Sequence, residues 1–325
     1  MSRLIKILSI DGGGIRGIIP AMILAKIEQI TSKPIAELFH LIAGTSTGGI
    51  LALGLTKPNG GGKPEHPAAN LVRLYEKEGS RIFPQSNFTK LKNLQDEKYP
   101  SDGIESVLQE YFGETMIGEA LTEILIPSYD IELRRPYFFK RTKAIKTPEC
   151  HNFPMKKVAR ATSAAPTYFE PLKLEINDLT DYYALIDGGV FANNPAMCAY
   201  VQAKINYPDA NDFLIVSIGT GELTTILPYE KVKDWGLLQW AQPIIHVTFD
   251  GVSDTVHYQL KQLLPPVRNQ RRYYRFQTRL TERGDHMDDA SKENIRALKL
   301  QAESIINDNE ENLQMLSNQL LSAAS

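Results

Sequence analysis

Twice within its first 56 residues the chain runs an apolar stretch into a glycine-rich turn and then into an apolar helix. "LIKILSI", residues 4 to 10, is short and rich in isoleucine and leucine, and reads as a buried strand. "DGGGIRG" breaks it, and "IIPAMILAKIEQI" follows with apolar residues at helical spacing. The second unit repeats the order: "FHLIAG" is the strand, "TSTGG" the turn and "GILALGLT" a helix packed on both sides. Strand alternating with helix predicts an α/β chain, a three-layer α/β/α sandwich around a mostly parallel central sheet.

Further strands read at "EILIPSYDI", at "YYALIDGG", which ends in a second acidic-glycine turn, at "DFLIVSIGTG" and at "RRYYRFQTRL". Helices read at "PAANLVRLYEKEGSRIF" and at "IESVLQEYFG", the latter stopped by Gly113. "KPNGGGKPEHP", residues 57 to 67, has no periodicity and reads as a surface loop. From Asp288 to about residue 321 the tail reads as helix, with Ile295, Leu298, Ala302, Ile305, Leu313, Leu316 and Leu320 near one face. No repeat or clear linker divides the sequence, so one unit is expected over residues 1–325, with a core over about 4–280 and a helical tail over about 288–321.

Composition narrows the function classes. The chain is 42% hydrophobic and 23% charged, with a formal net charge of -2, so nothing in the total points to nucleic acid or to an anionic membrane. Two cysteines, Cys150 and Cys198, in so long a chain read as buried thiols of a reduced compartment. The apolar N-terminal stretch is too short for a signal peptide and runs into Asp11, and no stretch reaches the length of a membrane span. A cytoplasmic protein that touches membranes at their surface is the expectation. No H-x-x-x-H or C-x-x-C pair is present, so no metal and no cofactor is expected.

The chemistry concentrates in two turns. Gly12, Gly14 and Gly17 satisfy G-x-G-x-x-G between a strand and a helix, a dinucleotide fingerprint when an acid closes the next strand. That strand ends in "LIAGTSTGG" instead, which has no acid. The other use of such a loop is an oxyanion hole, because consecutive glycines let backbone N–H groups converge at a helix N-terminus. Gly44-Thr45-Ser46-Thr47-Gly48 is a G-x-S-x-G that follows a strand and opens a helix, the context of an exposed nucleophilic serine. Two proton acceptors compete for Ser46. Asp187 followed by His286 fits a serine–aspartate–histidine order, although "RGDHMDD" reads as a solvated stretch. Asp187 alone, held at a strand end by "DGG", is the second; burial would have to raise its basicity.

These motifs together resemble the patatin-like phospholipase family, of the bacterial, cytosolic type. The resemblance rests on "DGGGIRG", "GTSTGG" and "DGG" at 187 to 189, supported by "ARATSAAPTYFEP", "VSIGTG" and "MDDAS", and it spans nearly the whole chain. It implies a serine–aspartate dyad of Ser46 and Asp187, without histidine. Gly12, Gly13 and Gly14 would form the oxyanion hole, with Arg16 and Gly17 supporting that loop. Gly44, Thr45, Thr47 and Gly48 would frame the nucleophile, and Gly188 and Gly189 the acid. The implied function is a lipid acyl hydrolase of phospholipase A or galactolipase type, working on a membrane lipid or other acyl ester at a bilayer surface, with no nucleic-acid partner. An acyltransferase built on the same acyl-serine is an alternative. Another is an effector gated by a small-molecule activator, as some bacterial members are gated by cyclic nucleotides. "DWGLLQWAQPII", which holds both tryptophans, reads either as a lipid-contacting segment or as core.

Overall fold

The structure is a computed structural model that describes residues 4–84, 99–176, 181–222, 226–240, 243–280 and 286–322. Its strands are β1 (Leu4–Ile10), β2 (Leu41–Gly44), β3 (Glu123–Asp130), β4 (Arg135–Lys140), β5 (Leu172–Ile176), β6 (Asp181–Asp187), β7 (Asp212–Ile218) and β8 (Tyr273–Phe276). The main helices are α1 (Ile18–Thr31), α2 (Thr47–Thr56), α3 (Ala68–Ile82), α4 (Asp102–Phe112), α5 (Met155–Thr162), α6 (Ala196–Asn206), α7 (Pro243–Leu263), α8 (Lys292–Asp308) and α9 (Glu310–Leu321).

The strands form one sheet in the order β5-β6-β3-β2-β1-β7-β8, with β4 paired to β3. Strands β3, β2, β1, β7 and β8 run parallel. Side chains alternate between two cores, as the pleat requires. Leu8 and Ile10 of β1, Ile42 of β2 and Val216 of β7 face a large core with α1, α2, α3, α4, α5, α8 and α9. Ile5 and Ile7, Leu41 and Ile215 face a smaller one, where Ala196, Ala199 and Ala203 bring α6 close and Val256 and Leu260 bring in α7. The α/β/α sandwich with a mostly parallel sheet is therefore as the alternation predicts. Every residue of α2 is buried, which accounts for a helix apolar all round.

One detail of the pairing sets up the site. A strand has two edges, and β4 occupies one edge of β3 from Leu125 to Asp130. On the other edge β2 pairs with β3 as far as Ala43↔Leu125, and β6 begins at Ser128↔Asp187. Because β2 runs parallel and β6 antiparallel to β3, their C-terminal ends meet head-on along one edge. Pro127, which has no N–H to give a neighbour, falls in the gap between them.

The tail differs from the expectation of one helical run. It breaks at Asn309, where the backbone leaves helical dihedrals (φ −117, ψ 21), giving α8 and α9. Both pack on α1, and Leu298, Ala302, Ile305, Leu313, Leu316 and Leu320 join the large core. Lys6, on the large-core face of β1, donates from Nζ to Leu320 O at 2.7 Å and Ser322 O at 3.0 Å, and so closes the C-terminus of α9. The cysteines are free and half-buried.

Candidate active site

Ser46 stands between β2 and α2 with φ 55 and ψ −124, a conformation that costs a non-glycine residue about 1–3 kcal/mol. The surroundings hold it there. Its N–H donates to Thr162 Oγ1 at 3.0 Å, and that hydroxyl donates onward to Pro127 O at 2.6 Å, in the gap of the sheet. Thr45 Oγ1 donates to Ala192 O at 2.6 Å, and the Thr47 hydroxyl is hydrogen-bonded to the Tyr75 hydroxyl. The turn also requires backbone contact with β1: a Cβ at Gly48 would lie 2.2 Å from Ile10 O. Gly44 and Gly48 therefore serve the turn, and Thr45 and Thr47 anchor it.

Asp187 closes β6 and is fully buried. Its N–H donates to Ala164 O at 2.9 Å, and its Oδ1 accepts from Gly189 N at 2.7 Å. Oδ2 is buried with no hydrogen bond of good geometry, while the Ser46 hydroxyl adjoins the carboxyl closely enough to favour its charged form. The two side chains thus adjoin without a hydrogen bond of good geometry at Oδ2. Loss of water around Asp187 dominates and raises its pKa to about 7, against the opposing effects of Ser46 and the Gly189 N–H. Gly188 packs against Pro127 O, which leaves no room for a side chain.

The glycine loop lies across from this pair. Gly14 has φ +59, and a Cβ there would meet Met287 O at 2.1 Å. The next N–H, from Ile15, donates to that same Met287 O at 2.8 Å. The N–H groups of Gly13 and Gly14 have no partner among the described residues. Gly12, expected as a third donor, is corrected here: its N–H goes to Asn193 O at 3.0 Å. Arg16 lies buried beneath the loop with Nε donating to Gly13 O at 3.2 Å. It lines a separate polar cavity with Asp11 and Asn193 and is absent from the apolar cleft, so it braces the loop and does not reach a ligand beside Ser46. Gly17 abuts Thr47 and Tyr75, which ties the two turns together. Asp11 forms a buried ion pair with Arg275 at 2.6 Å.

Gly13, Gly14, Ser46 and Asp187 together line a cleft with about 630 Å³ of empty space, its mouth included. The walls are almost wholly apolar, among them Ile50, Leu74, Ile82, Phe83, Phe169 and Phe249. None of the six histidines lines it. His286 is exposed; its neighbours at 283–285 lie outside the described residues. Among the described residues no cluster of His, Cys, Asp or Glu is placed to hold a metal ion, and no helix is long and apolar enough to cross a membrane.

The profile of the patatin-like phospholipase family matches residues 8–200. The chain belongs to that family. It is 34% identical to patatin-like protein 2 of Oryza sativa subsp. indica over 94% of this chain and 85% of that protein. Patatin-like protein 4 of Arabidopsis thaliana is 33% identical over 94% and 84% of the two chains. A third relative, 33% identical over 94% and 87%, is the probable inactive patatin-3-Kuras 1 of Solanum tuberosum. Membership of the patatin-like phospholipases carries lipid acyl-ester hydrolysis in general.

Sequence reasoning assigned no role to Thr162, Asn193 or Thr220, whose hydroxyl donates to Gly12 O at 2.6 Å. Two of the three lie in segments that stood out as family-like, "ARATSAAPTYFEP" and "VSIGTG". The signal was there, without a geometry to interpret it.

Proposed function

We propose that this patatin-like chain is a phospholipase A or galactolipase that cleaves acyl esters through a dyad of Ser46 and Asp187. The observation that carries this reading is the buried Asp187 carboxyl beside Ser46, its Oδ2 without a hydrogen bond of good geometry, both lining an apolar cleft. The acyl chain lies along the cleft and places the ester carbonyl over Ser46. Ser46 Oγ attacks the carbonyl carbon while its proton passes to Asp187. A pKa of about 7 suits a base that must take that proton and return it near neutrality. The N–H groups of Gly13 and Gly14 receive the oxyanion, a contribution of the kind worth on the order of 100-fold in rate per donor. Asp187 then protonates the leaving alcohol as the tetrahedral intermediate collapses to the acyl-serine. Water enters, gives a proton to Asp187 and attacks the acyl carbonyl; as that intermediate collapses, Asp187 returns the proton to Ser46 Oγ and the fatty acid leaves. Arg16, Thr162 and Thr220 position these groups through the backbone.

The test is hydrolysis of a p-nitrophenyl ester and of phosphatidylcholine vesicles by the parent protein, Ser46→Ala, Asp187→Asn and His286→Ala. The first two variants are expected to lose at least about 1,000-fold in kcat, the histidine variant almost nothing. Loss of activity in a folded His286→Ala would replace the dyad with a triad.

A further inference from the structure

The most exposed apolar side chains of the molecule are not scattered. Among the described residues the four large hydrophobic side chains with the greatest exposure are Leu237 (92%), Ile226 (80%), Leu238 (79%) and Tyr229 (74%). All four fall within the stretch from 226 to 238, between β7 and α7. Ile244 and Val247, on the first turns of α7, are exposed as well. The two short helices in this stretch, Tyr229–Val232 and Leu237–Trp240, bury none of their residues. Trp235 and Trp240 lie half-buried against each other, edge to face at 5.4 Å. Ala241 and Gln242 lie outside the described residues.

This surface connects to the cleft. Phe249, five residues after Ile244 on α7, turns inward and lines the cleft beside Asp187 and Ser163. The short helix Leu237–Trp240 adjoins α7, so the exposed leucines and the cleft share one helix as a neighbour. A side chain exposed to 92% has almost nothing beside it and protrudes. Such a knuckle suits a fluid into which it can insert better than a rigid protein face, where half-exposed side chains pack edge to edge. The charges here are balanced, with Lys231 and Lys233 against Glu230 and Asp234, and Lys233 pairs with Glu230 at 2.5 Å. Attraction to an anionic surface is therefore not what would hold it. Indoles at the base of a leucine knuckle match the polarity step of a lipid interface.

We propose that the exposed apolar side chains of residues 226–240 and 243–247 are the docking surface for a lipid bilayer, with Leu237 and Leu238 inserted among the acyl chains and the cleft mouth turned to the membrane. The choice of lipid as occupant rests on the acyl-hydrolase reading above. Because insertion is apolar and the charges cancel, binding to zwitterionic vesicles is expected to be nearly independent of salt.

The experiment compares the parent with Leu237→Glu/Leu238→Glu in sedimentation with phosphatidylcholine vesicles at low and high NaCl. It runs alongside hydrolysis of a water-soluble short-chain p-nitrophenyl ester. Both leucines are exposed, so the double variant keeps its fold and its activity on the soluble ester. Its vesicle affinity is expected to fall by more than about tenfold, and vesicle hydrolysis with it. In the parent, vesicles are expected to shift tryptophan emission to shorter wavelength, because both indoles sit at the patch. Equal vesicle binding by parent and variant would overturn the proposal. So would a parent that binds no vesicles and instead forms dimers that the double variant abolishes. If the parent cleaves neither ester yet binds vesicles through the leucines, the docking surface stands and the hydrolase reading falls.

Discussion

Asp187 is held under two opposed demands. Burial raises its pKa from 3.8 to about 7, which makes it a usable base, and the same burial makes its charge costly to the fold. The first effect predicts the pH profile. The carboxylate is the active form, so kcat/KM on a soluble ester should fall about tenfold for each pH unit below about 7 and level off above it. A rate that stays flat from about pH 8 to about pH 5 would exclude Asp187 as the titrating base. The second effect predicts stability. Between pH 3.8 and about 7 the folded chain keeps a proton on Asp187 that the unfolded chain has lost, so stability falls as pH rises and the full penalty is present above about 7. At 1.36 kcal/mol per unit the penalty is roughly 4 kcal/mol. Asp187→Asn carries no charge, and its side-chain oxygen can still accept from Gly189. The variant should therefore be more stable than the parent above about pH 7, and the advantage should disappear near pH 4. Urea melts of both proteins at several pH values measure it; an advantage independent of pH would refute the linkage.

At the scale of elements, β1, β2, β3 and β7 could be read from the sequence by their continuous apolar runs, and β6 and β8 by aromatic-rich runs at "YYALIDGG" and "RRYYRFQTRL". Strand β5, "LKLEI", alternates and is only five residues long, and β4 opens with Arg-Pro, so neither stood out. The residues of the site were legible because the glycines and the serine follow strands within a few positions. The meeting of Ser46 with Asp187 was implied by the family resemblance and not by spacing, since it depends on β6 and β2 sharing one edge of β3, a register between segments more than 130 residues apart. Lys6 makes the same point. Inside an apolar run it reads as an oddity, and only the placement of α9 supplies its partners, Leu320 O and Ser322 O. Burial lowers the pKa of Lys6, and the carbonyls offset part of that cost. Lys6→Met should therefore lower stability by roughly 1–3 kcal/mol, since hydrogen bonds to a charged donor are worth that much. Activity on a soluble ester should be unchanged, because Lys6 is at the far end of β1 from the glycine loop. A denaturant titration with an esterase assay checks both halves. A variant as stable as the parent would show that α9 is held by its apolar face alone.

For the whole molecule, the body and the rim have different reasons to be where they are. The sheet, α1 and the tail helices share one large core, and the tail also reaches the glycine loop through Met287 O, so folding of the tail and assembly of the cleft are the same event. The segment from 226 to 240 takes no part in that event, since its two short helices bury nothing. Local stability follows buried apolar contact, so this rim should open at a lower free energy than the body. The chain provides its own probe of the difference. Both tryptophans, Trp235 and Trp240, sit in the rim and touch each other, whereas the far-ultraviolet dichroism is dominated by helices of the body. In a urea titration tryptophan emission should therefore change at a lower midpoint than the dichroism, and the dichroism should follow one cooperative transition. Coincident midpoints would mean that the rim is coupled to the core more tightly than its exposed leucines require. Zwitterionic vesicles should move the emission midpoint upward and leave the dichroism midpoint nearly in place. A ligand stabilises only the unit whose folded form it binds. Leu237→Glu/Leu238→Glu should abolish that upward shift, which places the leucine surface and the melting of the rim under one measurement.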